Sequence, residues 1–215
     1  MKILTATVGE FQENTYLVID EATRRAVVVD PGAEPDRVVK WIRASGGGAT
    51  LDAVWLTHAH LDHVGAVAGV TREWPVPVYM HPADTPTLAR APRAAVQYGV
   101  EFEMPPAPDR ELADGDSLSV GGLTFSVMHV PGHAPGHVVF HGNGVVLGGD
   151  LLFAGSIGRT DLPLADPRAM EESLARICEL DDDLVVYPGH GPATTIGRER
   201  AANPYLVDVA RSGRR

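Results

Sequence analysis

The chain contains the stretch Thr57-His58-Ala59-His60-Leu61-Asp62-His63. Three imidazoles and one carboxylate, all side chains that bind metal ions, therefore occur within six consecutive positions. Residues 51–56 directly before it form an apolar and β-branched run that is typical of a buried strand. The alternative is a solvated histidine-rich loop, but four ligand-type residues rarely cluster directly after a buried strand. The stretch therefore predicts a metal site at a strand end.

The spacing within the stretch predicts two neighbouring metal ions. If the chain is still extended at His58 and His60, their i, i+2 spacing places both side chains on one side. Asp62 and His63 then fall where a helix is predicted to begin, just before residues 64–72. Imidazole and carboxylate ligands without thiolate suit zinc, iron or manganese.

Three further apolar runs lead to a residue that can bind metal. The run at 123–128 precedes His133, the run at 145–149 precedes Asp150, and the run at 184–187 precedes His190. Open α/β sheets place their sites outside the carboxyl ends of strands, so these residues are expected to meet. The combined set would hold two ions that share one carboxylate, and it comprises His58, His60, His133, Asp62, His63, His190 and Asp150.

At this point the sequence resembles the metallo-β-lactamase superfamily, and within it the glyoxalase II-type hydroxyacylglutathione hydrolases. The matching motifs follow the family's order and are Thr57–His63, Pro131-Gly132-His133-Ala134-Pro135-Gly136-His137, Gly148-Gly149-Asp150 and Pro188-Gly189-His190-Gly191. The resemblance implies an α/β fold, a four-layer αβ/βα sandwich with two sheets back to back and helices outside.

The resemblance also implies a role for each matching residue. One metal is expected on His58, His60 and His133, the other on Asp62, His63 and His190, with Asp150 bridging them. Asp30 and His137 are expected to support these ligands from outside the metal shell, as such partners fix ligand orientation. The alternatives are a plain Asp-Pro-Gly turn for Asp30 and a polar residue opening a strand for His137.

The implied chemistry is thioester hydrolysis by a binuclear metallo-hydrolase. Two divalent ions, zinc first and iron or manganese as alternatives, lie about 3.5–4 Å apart in such sites, and a hydroxide between them attacks the carbonyl carbon. Asp62 is expected to orient that hydroxide. A thiol has a pKa of about 8.5 and can leave without a general acid, so S-D-lactoylglutathione is the expected type of substrate.

Two departures from the longer glyoxalase II enzymes concern the substrate. Only residues 191–215 follow the last histidine motif, so we expect the C-terminal glutathione-binding helical domain to be absent and 1–215 to form one domain. The loop at 155–163 resembles the short, single-domain bacterial branch instead. Arg159 in this loop falls where the longer enzymes carry a substrate-binding lysine, although a solvated loop arginine is the alternative.

Other functions are compatible with the same ligands. A persulfide dioxygenase of this fold uses a single iron and often retains the remaining ligand residues. A lactonase or another metallo-hydrolase could also use them. A metal-binding protein without turnover is a further alternative, but such a protein has no physical need for a complete set of seven ligands.

Composition limits the partners and the compartment. With 18 basic and 28 acidic residues the net charge is −10, which disfavours nucleic acid as a partner. The sequence shows neither a secretory signal nor a membrane-spanning run, and Cys178 is its one cysteine. We therefore expect a cytoplasmic enzyme that acts on a small-molecule thioester and has no membrane partner.

Overall fold

The computed structural model describes residues 1–206, so residues 207–215 of the predicted domain lie outside the described range. The first half contains β1 (Lys2–Val8), β2 (Glu13–Asp20), β3 (Arg25–Val29), α1 (Pro35–Ser45), β4 (Thr50–Trp55), α2 (Leu61–Val64), α3 (Val67–Glu73), β5 (Val78–Met80), α4 (Thr85–Tyr98) and β6 (Arg110–Glu111). The second half contains β7 (Ser117–Val120), β8 (Leu123–His129), β9 (Val138–Gly142), β10 (Val145–Gly149), β11 (Leu152–Phe153), β12 (Ser156–Ile157), α5 (Pro167–Ile177), β13 (Val185–Pro188), β14 (Thr194–Thr195) and α6 (Ile196–Ala202).

Twelve of the strands within residues 1–206 form two six-stranded mixed sheets, and β11 and β12 form a separate antiparallel pair. The first has the order β1-β2-β3-β4-β5-β6, and the second has the order β14-β13-β10-β9-β8-β7. The pair β3 and β4 is parallel, as is the pair β10 and β13. The carboxyl ends of two parallel strands therefore lie side by side in each sheet, and the loops that follow them can converge.

Local sequence signals explain where the helices begin. Proline occupies the first turn of α1, α4 and α5, where its missing N–H costs no intrahelical hydrogen bond. The side chain of Asp166 accepts hydrogen bonds from the first backbone N–H groups of α5, and Thr195 caps α6 in the same way. Pro92 lies inside α4, which nevertheless runs without a break from Thr85 to Tyr98.

Three apolar layers hold the sheets and helices together. Trp55 packs between the sheets against Phe125 and Phe140, with ring centroids 5.7 and 5.2 Å apart. A second cluster buries α1 and α3 against the first sheet, and a third buries α5 and α6 against the second. Helix, sheet, sheet and helix thus follow one another, which confirms the predicted four-layer sandwich. None of the helices within residues 1–206 combines the length and apolar character needed to cross a bilayer.

Candidate metal centre

The predicted ligand residues meet at one edge of the sandwich. They lie in the loops after β4, β8, β10 and β13, and in the short helix α2. The strand β4 ends at Trp55, so His58 and His60 belong to the loop that follows the strand. The glycines before Asp150 allow a close approach of the backbone: Gly149 has φ +47°, and a Cβ there would clash with the side chains of Thr57 and His137.

Three imidazoles form the first ligand set, which comprises His58, His60 and His133. Their ligand nitrogens lie within 4.8 Å of one another. The Nδ1 atom of His60 faces the Nε2 atom of His133 at 2.9 Å, while the Nε2 atom of His58 is buried without a hydrogen-bond partner in residues 1–206. Nitrogen atoms that converge in this way are suited to a shared cation.

Hydrogen bonds fix which ring nitrogen faces the centre. The Thr57 hydroxyl donates to Asp30 Oδ2 at 2.6 Å and lies 3.1 Å from Nδ1 of His58, so this Nδ1 is the donor and Nε2 carries the lone pair. His63 Nδ1 lies 3.0 Å from the same Asp30 oxygen. His133 Nδ1 donates to the carbonyl of Arg159 at 2.8 Å. Three imidazoles thus present Nε2 towards the metal centre.

The second ligand set comprises Asp62, His63 and His190, and its ligand atoms also lie within 4.8 Å of one another. His190 Nε2 lies 3.3 Å from Asp62 Oδ2. The Asp150 carboxylate lies between the two sets: its Oδ2 is 3.4 Å from His133 Nε2, and its Oδ1 is 3.4 Å from His63 Nε2. Asp30, His58 and His63 form a third close group. The oxygens of Asp30 already accept hydrogen bonds from Thr57 and His63, however.

The two sets differ in protonation. Burial, with a smaller contribution from His133, lowers the pKa of His60 to about 3, and burial also lowers the pKa of His58 well below its usual value, so these two imidazoles of the first set are neutral. In the second set burial also disfavours charge on His190, but the carboxylates of Asp150 and Asp62 outweigh it and raise its pKa to about 9. A divalent cation at the second set would therefore displace protons when it binds.

The buried polar atoms of this region fit metal binding. Nε2 of His58, Nε2 of His63 and Oδ1 of Asp150 are buried and have no hydrogen-bond partner within residues 1–206. Unpaired buried polar atoms are costly and rare, and here they point into one space lined by imidazoles and carboxylates. The donor chemistry, nitrogen and carboxylate oxygen without sulfur, suits zinc or iron.

The two predicted supporting residues contact ligands or their backbone. Asp30 follows β3 and accepts hydrogen bonds from the backbone N–H and hydroxyl of Thr57, at 2.7 and 2.6 Å, besides its contact with His63. His137 accepts a hydrogen bond through Nε2 from the backbone N–H of Asp150 at 2.9 Å. Its ring also stacks on His58, with centroids 4.8 Å apart.

Sequence reasoning missed two buried carboxylates. Asp84 accepts hydrogen bonds from the backbone N–H groups of Ala59 at 2.6 Å and Gly136 at 2.8 Å, so it ties both histidine loops to the start of α4. Glu13, at the start of β2, is fully buried 3.9 Å from His63, and burial raises its pKa well above the usual range. The sequence Asp84-Thr85-Pro86 does indicate a helix start, but it does not reveal these partners.

A pocket of about 510 Å³ opens above the ligands. Its floor contains His60, Asp62, Asp150 and His190, and Arg159 lies in its wall. The Arg159 guanidinium is exposed and makes a bidentate ion pair with Asp161 at 2.9 Å. A volume of this size accommodates a small organic substrate.

Residues 8–190 match the model of the metallo-beta-lactamase superfamily. The chain belongs to this superfamily. It is therefore a metallo-hydrolase, and the fold implies binding of two metal ions through histidine and aspartate. The predicted family and fold are thus confirmed, and the hydrolase class is confirmed at this general level.

Similar proteins show the same relationship over nearly the whole chain. A hydroxyacylglutathione hydrolase GloC of Haemophilus influenzae is 36% identical over 211 residues, which cover 96% of this chain and 98% of that protein. The crystal structure of TTHA1623 in a di-iron-bound form is 44% identical with a TM-score of 0.86, covering 94% of this chain and all of that one. The crystal structure of the B3 metallo-beta-lactamase BLEG-1 is 36% identical with a TM-score of 0.87, and the match covers 95% of this chain and 99% of that one.

Proposed function

We propose that this chain is a binuclear thioester hydrolase that cleaves S-D-lactoylglutathione or a similar acyl thioester. The observation that carries the proposal is the position of the Asp150 carboxylate between two complete ligand sets. One ion is assigned to His58, His60 and His133, the other to Asp62, His63 and His190, with Asp150 as the shared ligand. Zinc is the proposed metal and iron or manganese the alternatives, because nitrogen and carboxylate oxygen donors suit all three.

The chain's own residues prepare the site for this reaction. When bound, two divalent ions would lower the pKa of water towards about 7 and polarise the thioester carbonyl. Asp62 and Asp150 supply anionic oxygens at the pocket floor, and Asp30 holds His63 in the orientation that leaves Nε2 free. A thiolate can leave without a proton donor, which suits a floor made only of ligands.

The substrate class is supported by the relative in Haemophilus influenzae, which is named a hydroxyacylglutathione hydrolase and matches this chain almost from end to end. A β-lactam is the competing substrate class, because BLEG-1 has the same 36% identity. We expect turnover of S-D-lactoylglutathione and none of a chromogenic β-lactam. Turnover of only the β-lactam would contradict the thioester proposal.

We expect two metal ions per chain in protein purified without chelators, with zinc predominant. Elemental analysis by mass spectrometry measures this stoichiometry directly. A strong chelator should abolish hydrolysis and lower the melting temperature, because the buried histidines and Asp150 lose their cations. One iron per chain with a mononuclear iron spectrum would instead support a persulfide dioxygenase.

Arg159→Ala is expected to raise KM for S-D-lactoylglutathione by about threefold to tenfold and to leave kcat unchanged, the pattern of lost uniform binding. The effect stays modest because Asp161 already neutralises part of the Arg159 charge. Steady-state kinetics measure both constants. The matched variant Asp161→Asn frees the guanidinium and should lower KM. An unchanged KM in both variants would show that Arg159 does not contact the substrate.

A further inference from the structure

The wall of the pocket carries positive charge in addition to that of Arg159. Two further arginines line it, Arg90 and Arg93, and both belong to α4. The lining carboxylates, Asp62 and Asp150, lie on the floor within the ligand sets. The positive charge therefore faces the space that remains above the ligands.

These arginines lie on the face of α4 that is turned to the pocket. Leu88 and Ala95 on the opposite face are buried in the protein. Arg90, Arg93 and Gln97 follow one another at spacings of three and four, which places them along one side of the helix. All three line the pocket and are exposed. The helix therefore presents a row of hydrogen-bond donors to the pocket.

Arg90 and Arg93 also lack the carboxylate partners that most other arginines of residues 1–206 have. Among residues 1–206 neither makes an ion pair or a side-chain hydrogen bond. Most of the other arginines in this range pair with acids, as in Arg25–Asp52, Arg37–Glu34, Arg43–Glu73, Arg72–Glu103, Arg176–Asp114 and Arg200–Asp182. In a chain of net charge −10, two unpaired guanidinium groups at one pocket are available for an anionic ligand.

The rim beside these arginines is apolar. Phe11 and Tyr98 form an edge-to-face pair with centroids 5.2 Å apart, and both line the pocket while remaining partly exposed. Leu162 and Pro163 line the pocket as well. A ligand that contacts this rim and the arginines therefore combines an apolar or peptide-like body with negative charge.

We propose that Arg90 and Arg93 on α4 recognise the carboxylates of a peptide thiol carrier, as found in glutathione thioesters. A guanidinium binds a carboxylate through two parallel hydrogen bonds, which gives both affinity and orientation. The acyl group then lies over the ligand sets and the carrier lies along α4. This assignment rests on the proposed thioester hydrolysis and names the residues that select its substrate.

Binding of S-methylglutathione, a thioether that cannot be hydrolysed, tests the assignment without turnover. By isothermal titration calorimetry we expect Arg90→Gln and Arg93→Gln each to weaken binding about tenfold and the double variant about a hundredfold. Arg168→Gln, which removes an exposed arginine outside the pocket lining, is the control and should bind normally. Normal binding by the double variant, or no binding by the unaltered chain, overturns the assignment.

Esterification of the ligand tests whether the carboxylates are the groups recognised. The diethyl ester of S-methylglutathione should bind the unaltered chain more weakly than the parent does. The ester and the unesterified parent ligand should bind the double variant with equal affinity, because the arginine partners of the carboxylates are already gone. An equal loss of affinity in both proteins contradicts carboxylate recognition.

Coenzyme A is the comparison ligand that carries phosphate groups. If it binds more tightly than S-methylglutathione and depends in the same way on both arginines, the site is reassigned to phosphate.

Kinetics separate this inference from the proposed function. The double variant should show a raised KM for S-D-lactoylglutathione, an unchanged kcat, and unchanged kinetics on the neutral thioester S-acetyl-N-acetylcysteamine. If the unaltered chain hydrolyses neither thioester, the proposed function fails. If the unaltered chain hydrolyses both thioesters and the double variant has the same KM values as the unaltered chain, the proposed function stands and the role of α4 is disproved.

Discussion

Asp62→Ala is expected to lower kcat for thioester hydrolysis by about 10³-fold while the chain still binds one metal ion. Asp62 is the carboxylate that belongs to the second ligand set alone, whereas Asp150 is shared between the two sets. The Oδ2 atom of Asp62 lies 3.3 Å from His190 Nε2. Without it the second set keeps two imidazoles and the shared carboxylate. The loss should exceed the 10–100-fold effect that is typical of a residue supporting a ligand from outside.

The stoichiometry and the rate must be measured on the same preparation. Elemental analysis should fall from two ions towards one, because His58, His60 and His133 remain intact. Asp161→Ala is a matched control, since Asp161 is exposed beside the pocket and belongs to neither ligand set. Its kcat should stay unchanged. Full turnover by Asp62→Ala at one ion per chain would exclude a binuclear mechanism.

The candidate ligands could be identified from the sequence because each occurs in a short motif directly after a strand. In Gly148-Gly149-Asp150, for example, the glycines and the carboxylate are adjacent, so a local pattern contains both the backbone requirement and the ligand. The same holds for Pro188-Gly189-His190 at the end of β13. The grouping of the loops then follows from parallel strand pairs, which bring their carboxyl ends to one edge.

The four-layer arrangement was less accessible from the pattern of residues. Alternating strands and helices indicate layers, but the back-to-back packing of two sheets depends on contacts such as Trp55 with Phe125 and Phe140, which are distant in sequence. Only the resemblance to a known family supplied that part of the prediction. The amphipathic pattern of α4 likewise shows which side is buried, not what Arg90 and Arg93 face.

Asp84 shows why some supporting residues stay hidden in the sequence. The Thr87 hydroxyl is a local partner of Asp84, but the two backbone N–H groups that it satisfies, those of Ala59 and Gly136, lie 25 and 52 residues away, and no periodicity connects them. Its local context resembles an ordinary helix cap. The carboxylate instead satisfies two backbone groups in the loops that carry the first ligand set, and a short-range pattern cannot encode that.

Asp84→Ala is therefore expected to destabilise the protein and to weaken metal binding together. The substitution leaves the buried N–H groups of Ala59 and Gly136 without their acceptor, at a cost of about 1–3 kcal/mol each. The predicted loss of about 2–6 kcal/mol is a large part of the 5–15 kcal/mol that is usual for a domain. Denaturant unfolding measures it. The affinity for metal should fall about 10–100-fold, because the loops with His58, His60 and His133 lose a common support.

Two comparison variants make the cause of this loss visible. Asp116→Ala removes an acceptor for a single backbone N–H, that of Ala113, in an exposed loop, so it should cost less than 1 kcal/mol. Asp84→Asn keeps one acceptor oxygen and should fall between the unaltered chain and Asp84→Ala in both stability and metal affinity. If Asp84→Ala lowered the stability and left the metal affinity unchanged, Asp84 would stabilise the fold without positioning the ligands. In that case Asp30 and His137 would be sufficient to hold the two histidine loops in place.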